Sequence, residues 1–451
     1  MQFLDTITSK AVTILLILLP LLGLAQPKDN SPYSRFGIGD IQDPNFFFSQ
    51  QMGGLGASFH SPYDINTVNP ASLSYLRTAS FDVGVSARYS ALNERNGPTT
   101  NVWSGNLSYI SLAFPLRNAL NDLLDRKERD IAFGMGFTLK PFSTVGYNIS
   151  SRSIINDVGE VDSNFQGTGG TFDVAWSNSV RYKNLSLGVN LGYLFGQTVN
   201  QSFINFLDIP FAESALIEEK LSFSGFMYRA GLMYTIPLND TKVEVGQKPI
   251  SARKLTIGLH ANSKTAVDLE NIAFEGTGTA EFGGQLRNAL NTDTTLISSS
   301  LPSELGLGLT YSSGDKFAIG VNYTATQWSD FDSNVVNGIL NDSQKLSFGG
   351  YVRPNYTSVG SFFSRVFYRF GAFYHKLPTQ IDVNQGQDIE DIGLTFGFGL
   401  PFFYQRKISH ANLGITLGMR GRNTVIEERY ARLTFSFTYN DDEWFLKRKY
   451  N

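Results

Sequence analysis

The 451-residue chain contains no cysteine. Disulfide scaffolds, thiolate metal sites and a lipidated N-terminal cysteine are thereby excluded. Charge is also scarce: Asp, Glu, Lys and Arg make up 17% of the chain, the net charge is -3 and the pI is near 5.9. That balance offers no basic surface to a nucleic-acid partner. Only four histidines occur, His60, His260, His375 and His410, and their separations match no metal-ligand spacing. "GLHANSKT", residues 258–265, mimics a phosphate loop but lacks its second glycine and following helix. "DFDSNVVNG", residues 330–338, carries three oxygen side chains at alternate positions, yet has neither the glycine nor the glutamate of a calcium loop. A lipase-like site would need a serine, a histidine and a carboxamide gathered at one membrane face, and His375 near the outer rim is the only candidate. No enzyme, cofactor or metal is expected.

Long apolar runs are missing too, except at the N-terminus. There Lys10 precedes an apolar stretch, residues 11–24, interrupted by Pro20 and followed by Gly23 and Ala25 as small residues before a cut. It is too short to span a bilayer and reads as a secretory signal peptide, residues 1–25, with the mature chain starting at Gln26. The protein is expected to be exported.

What is abundant is glycine, 43 residues, and aromatic side chains, 13%. From Ser80 onward the pattern has a period of two. In "FDVGVSARYSA" the residues Phe81, Val83, Val85, Ala87, Tyr89 and Ala91 form an apolar face, and Asp82, Gly84, Ser86, Arg88 and Ser90 a small or charged one. The same alternation recurs in segments such as "LSLGVNLGYLFG", "FAIGVNYTAT" and "ARLTFSFTY", and fourteen strands of about ten residues can be placed. Connections after odd strands read as long, roughly 10, 30, 23, 40, 17, 14 and 8 residues, against tight even turns such as Lys183-Asn184. Even strand number and alternating connection length are marks of an outer-membrane barrel, closed because lipid cannot satisfy an open edge. A soluble sandwich would not place large apolar residues on one face of every strand.

The expectation is therefore an all-β, fourteen-stranded antiparallel transmembrane β-barrel in the cell outer membrane, in contact with outer-membrane lipid. The barrel spans 80–440 and a periplasmic C-terminal tail 441–451. On the phase opposite the apolar stripe lie Asp82, Arg88, Asp173, Arg181, Arg229, Arg369, Arg420 and Arg432. Their mixed signs predict ion pairing around something that fills the lumen. The candidate filler is residues 26–79, which lack the period of two. At that length an independent core is marginal, so an N-terminal hatch or plug braced by the barrel wall is expected.

The glycine cluster Gly53, Gly54 and Gly56, followed by Asn69, Pro70 and Ala71 just before strand one, resembles the FadL-type outer-membrane transporters of long-chain fatty acids and aromatic hydrocarbons. So do "LPSELGLGLTYSSGDKFAIGVNYTATQWSDF", residues 301–331, and "YRFGAFYHKLP", residues 368–378. The resemblance implies that a hydrophobic small-molecule ligand is caught between outer loops, here 197–221 and 264–302. It then passes to an apolar lumen pocket and leaves sideways through a kink in strand three when the hatch shifts. By phase, pocket candidates are Leu194, Met227, Met233, Phe367 and Phe373; the same side chains could simply pack against the plug. The lateral-opening candidates are Lys140, Pro141, Phe142 and Gly146. Proline has no N–H for the ladder, so Pro141 either ends strand three or opens a gap beside it.

Two features depart from the family: the stretch "SPYSRFGIGD", residues 31–40, and the tail "NDDEWFLKRKYN". Trp444 and Phe445 suit an interface anchor, with Lys447, Arg448 and Lys449 beyond it, or else a docking peptide. Some FadL-like barrels serve as subunits of secretion or barrel-assembly complexes. Other outer-membrane proteins are therefore the alternative partners.

Overall fold

The computed structural model describes residues 31–444 except 96, 119–120, 122–129, 157, 210–211, 240–251, 280–284, 332–339, 356–357, 359, 381–387, 405–406 and 423. The expected signal peptide, the start at Gln26, the tail from Phe445 and most of the 330–338 loop lie outside the described residues.

Fourteen antiparallel strands close into a barrel. They are β1 (Ala79–Glu94), β2 (Thr99–Pro115), β3 (Ile131–Ile155), β4 (Gly159–Tyr182), β5 (Leu185–Phe206), β6 (Ser214–Pro237), β7 (Arg253–Asn262 continued by Thr265–Thr279), β8 (Gln285–Leu301 continued by Ser303–Ser313), β9 (Phe317–Gln327), β10 (Ser343–Val352), β11 (Phe367–Gln380), β12 (Asp388–Tyr404), β13 (Lys407–Arg420) and β14 (Ile426–Asp441). The two pieces of β7 and β8 remain in register across their interruptions, with Asn262 opposite Glu304 and Thr265 opposite Leu301. Closure is made by β14 on β1, from Ile426 opposite Glu94 to Asp441 opposite Ala79. The end of the barrel carrying Ala79 and Asp441 is called the lower end below.

The alternation has the expected consequence. In β5, Leu187, Val189, Leu191, Tyr193 and Phe195 face outward and exposed, while Ser186, Asn190 and Leu194 are buried. In the lower barrel each strand is paired with its neighbours on both sides, which satisfies the backbone groups there.

The strand lengths differ from expectation. β3, β4, β5 and β6 contain 25, 24, 22 and 24 residues, so they rise well beyond a ten-residue wall. Consequently the expected loops 197–221 and 264–302 are mostly sheet: the first belongs to β5 and β6, and the second is the hairpin of upper β7 and upper β8. The long-odd, short-even pattern of connections is overturned with it, since β3 meets β4 through only 156–158 whereas β6 reaches β7 through 238–252. In the upper stretches polar residues occupy both faces over long runs, as at Ser150, Ser151, Arg152 and Ser153, so the period-two signal weakens although the ladder continues and Val161, Phe203, Leu216 and Val267 stay buried.

The N-terminal segment, residues 31–78, is almost entirely buried against the inward faces of the strands. Phe46, Phe47, Phe48, Met52, Leu55, Phe59, Ile65 and Leu73 pack into one cluster with Tyr109, Ala113, Ala318 and Tyr351 of the wall. Glycines make room on the wall. A Cβ on Gly231 would come within 2.8 Å of the Pro70 ring, and one on Gly188 within 2.8 Å of the Ala71 Cα.

Candidate functional site

Asn69 has a β-region backbone and caps the 3-10 helix Pro70–Tyr75, its Oδ1 accepting from the Ala71 N–H at 3.2 Å. Pro70 fixes its own φ at the first helical position, where no N–H is needed. The Asn69 carboxamide N–H2 donates to the carbonyls of Ala57 at 2.6 Å, Leu232 at 3.2 Å and Leu259 at 3.1 Å. One fully buried side chain thus ties the segment to β6 and β7. Of the glycine cluster, Gly53 and Gly54 have φ of +73° and +97°, a turn open to glycine, and the Gly53 N–H donates to Thr395 at 3.0 Å. A Cβ on Gly56 would meet Val68 at 2.8 Å.

The second junction is at β3. Its ladder with β2 runs from Pro115 opposite Gly134 only to Ile110 opposite Leu139. Two residues further, Pro141 interrupts the other ladder too, with a register shift between Pro141 and Ser143 opposite β4. Beyond that point β3 does not pair with β2. Its edge instead receives the two-residue strand Asp40–Ile41, with Asp40 opposite Thr144 and Ile41 opposite Ser143. The N–H groups of Gln42 and Ser31 donate to the carbonyls of Phe142 and Gly146, each at 3.0 Å, and Ser34 bonds Gly146 at 3.1 Å. The wall is therefore split between β2 and β3. Asn106, Ser108 and Tyr109 line one side of the split and Lys140 and Pro141 the other, with Phe46 and Phe47 behind. Lys140, Pro141, Phe142 and Gly146 all lie along this junction, and Lys140 and Gly146 are buried.

A buried ion network holds the segment there. Asp40 accepts from Arg420 Nη1 at 3.0 Å on both oxygens and lies 3.6 Å from Arg88. Arg88 also meets Glu428 at 2.8 Å and stacks over Tyr430 at 4.1 Å, while Arg420 reaches Asp391 at 3.5 Å. A second tie joins Asp43 to Lys345 of β10 at 2.6 Å. Burial alone would raise the Asp43 carboxyl, but Lys345 and hydrogen bonds from Asn45 outweigh it and hold it at about 2.

The other expected lumen charges do not join this network. Arg229 pairs with Glu304 at 3.1 Å, alongside His260 at 3.3 Å. Asp173 is buried and faces the upper chamber, as does the half-buried Arg432. Arg369 is buried on Gln51 and Asn412, at 2.9 and 2.6 Å. Arg181 lies over the Tyr75 ring at 4.5 Å, and Asp82 is fully buried with no cation at ion-pair distance among the described residues.

Between the segment and the upper rim lies a chamber of about 210 Å³. Met227 and Phe373 line it together with Phe142 and Trp328, so two of the five pocket candidates reach it. Leu194 is fully buried in an apolar cluster against Met227, Met233 is fully buried away from the chamber, and Phe367 packs on Tyr351 near the lower end. The chamber is less greasy than expected, because Lys140, Asp173, Arg229, Glu304 and Lys345 also line it. The histidines are scattered: His60 stacks on Tyr75 at 3.7 Å, His410 faces Phe367 at 5.7 Å, and His375 lines the upper chamber.

Asp40, Asp43, Lys345, Asp391, Glu428 and the Phe46-Phe47-Phe48 run were missed in the sequence. The available signal was a lone acid ending the unusual stretch 31–40, and three consecutive phenylalanines in a segment without strand periodicity.

A family model described as BamG matches residues 7–451. The chain belongs to the BamG family. No curated protein matches this BamG-family chain. Among solved structures it is similar to the CymD monoaromatic hydrocarbon channel, at 16% identity and a TM-score of 0.51 over 90% of this chain and 98% of that one. It is similar also to a Pseudomonas aeruginosa FadL homologue, at 14% and 0.53 over 90% and 99%. The P. putida toluene transporter TodX matches at 15% and 0.53 over 89% and 99%. At these identities the likeness establishes the fold: the BamG-family chain has the fourteen-stranded barrel of FadL-type channels.

Proposed function

We propose that this protein sits in the outer membrane and takes up hydrophobic small molecules, aromatic hydrocarbons or fatty acids, by diffusion through a lateral opening gated by its own N-terminal segment. The split between β2 and β3 carries this reading. It lies where Pro141 interrupts the ladder, it borders the chamber, and its β3 edge is covered by Asp40–Ile41 rather than by another wall strand. In this reading residues 31–79 are a hatch, the outward apolar faces meet lipid, and a ligand passes from the upper chamber along Phe142 once the hatch shifts. The neighbours support it, being described as a monoaromatic hydrocarbon channel and a toluene transporter.

The chain lacks cysteine, so the hatch can be locked selectively. Ile41 and Ser143 are ladder partners, and the Ile41→Cys, Ser143→Cys pair falls within disulfide reach. In proteoliposomes, oxidation is expected to stop uptake of radiolabelled toluene and oleate, with reductant restoring it. Equal uptake in both states refutes the hatch-gated path.

Membership of the BamG family over the whole match, together with the charged chamber lining, favours a second reading: an accessory subunit of an outer-membrane barrel-assembly or secretion complex. Affinity purification of the tagged protein from gently solubilised outer membranes separates the two. A stoichiometric outer-membrane partner supports the second; the isolated barrel supports the first.

A further inference from the structure

A separate chamber of about 220 Å³ lies at the lower end, divided from the upper one by the N-terminal segment. Its charge is one-sided: Arg77, Arg181, Lys254, Arg353 and Arg369 line it, against Asp64 and Asp315. Arg353 and Arg369 are already engaged, with the Arg365 carbonyl and with Gln51 and Asn412. Arg77, Arg181 and Lys254 differ. Among the described residues no carboxylate lies within ion-pair distance of any of the three, and Asp315 acts on Lys254 only at longer range.

One of the three cations, Arg181, is positioned by an aromatic ring. Arg181 lies over Tyr75 at 4.5 Å, and Tyr75 is stacked on His60 at 3.7 Å. Tyr75 also hydrogen-bonds Arg181, and a guanidinium has five N–H donors, so others remain for an oxyanion acceptor. The positive field is felt by His60, which burial first, and Lys254 and Arg181 next, push down to about 3. Three cations brought together at the mouth of a small, partly enclosed chamber repel one another, and a bound anion removes that cost. The chamber is too small for a folded partner.

We propose that this lower chamber binds a phosphate-type oxyanion through Arg181, Lys254 and Arg77. The phosphate can arrive free in solution or as the headgroup of an anionic lipid. The test uses the full chain purified in detergent, with equilibrium dialysis against labelled inorganic phosphate at low salt and native mass spectrometry after exposure to phosphatidylglycerol. We expect saturable binding of one equivalent, at least tenfold weaker in the Arg181→Gln, Lys254→Gln double variant and retained in Lys254→Arg. Phosphate binding with no retained lipid identifies a soluble anion; a retained lipid that phosphate displaces identifies a headgroup. The proposal is overturned if neither probe binds saturably, or if the double variant binds as well as the parent. Should the double variant lose the heat-modifiable gel mobility of a folded barrel, the exposed Arg77→Gln alone decides, with at least threefold weaker binding expected and unchanged binding overturning the proposal.

Discussion

Asp40 links the N-terminal segment to two strands at once, so removing its charge should loosen the cover of the β3 edge more than any other single change. In Asp40→Asn the shape is kept, but Arg420 loses the acceptor pair at 3.0 Å and Arg88 a neighbour at 3.6 Å. Breaking one partner of a buried ion pair costs about 3–5 kcal/mol. Glu428, 2.8 Å from Arg88, and Asp391, 3.5 Å from Arg420, still compensate the two cations, which favours the lower figure. At about 1.4 kcal/mol per factor of ten, a loss of about 3 kcal/mol raises the population with this region detached by roughly 100-fold. Asn69 is anchored by different partners on β6 and β7, so its region should not follow. Amide hydrogen exchange followed by mass spectrometry checks this. Peptides covering 31–42 and 142–146 should exchange roughly 100-fold faster, in line with that free energy, and those covering 66–76 at the parent rate. Unchanged exchange at 31–42, or faster exchange across the whole barrel, refutes the assignment of Asp40 as the local clamp.

Other perturbations probe the remaining anchors. Asn69→Ala removes a cap and the bonds to the wall carbonyls, a loss of about 2 kcal/mol that should lower the temperature of the heat-modifiable gel shift. Gly231→Val places a side chain where Pro70 packs, so the segment should become protease-sensitive while the barrel keeps its folded gel mobility. The Asp43 carboxyl is depressed from its ordinary 3.8 to about 2 in the fold, so its contribution is complete above the unfolded value and is lost as pH falls through about 2. Hydrogen exchange near Asp43 should therefore be steady from about pH 5 to 8, after correction for intrinsic rates, and rise below about pH 4, corresponding to about 2 kcal/mol; Asp43→Asn should abolish that acid step.

The architecture was legible where burial is one-sided. Large residues outward and small or charged ones inward, as in β5, can close only as a barrel, and inward charges of both signs anticipate a filled lumen. Asn69 and Pro70 were legible for the same local reason, since cap geometry and a fixed φ are written in adjacent residues. The upper halves of β3 to β8 were not, because polar residues on both faces over long runs blur the alternation, and they read as loops. Nor did the sequence say what Pro141 does: a proline ends a ladder, but which segment then takes the vacated edge depends on a partner about a hundred residues away. Asp40 became a clamp only when the fold brought Arg88, Arg420, Asp391 and Glu428 around it. The sequence by itself determined the barrel and its orientation of side chains, through a period that every strand repeats. The tertiary structure decided the split wall, its cover and the two chambers, because those arise from contacts between residues far apart in the chain.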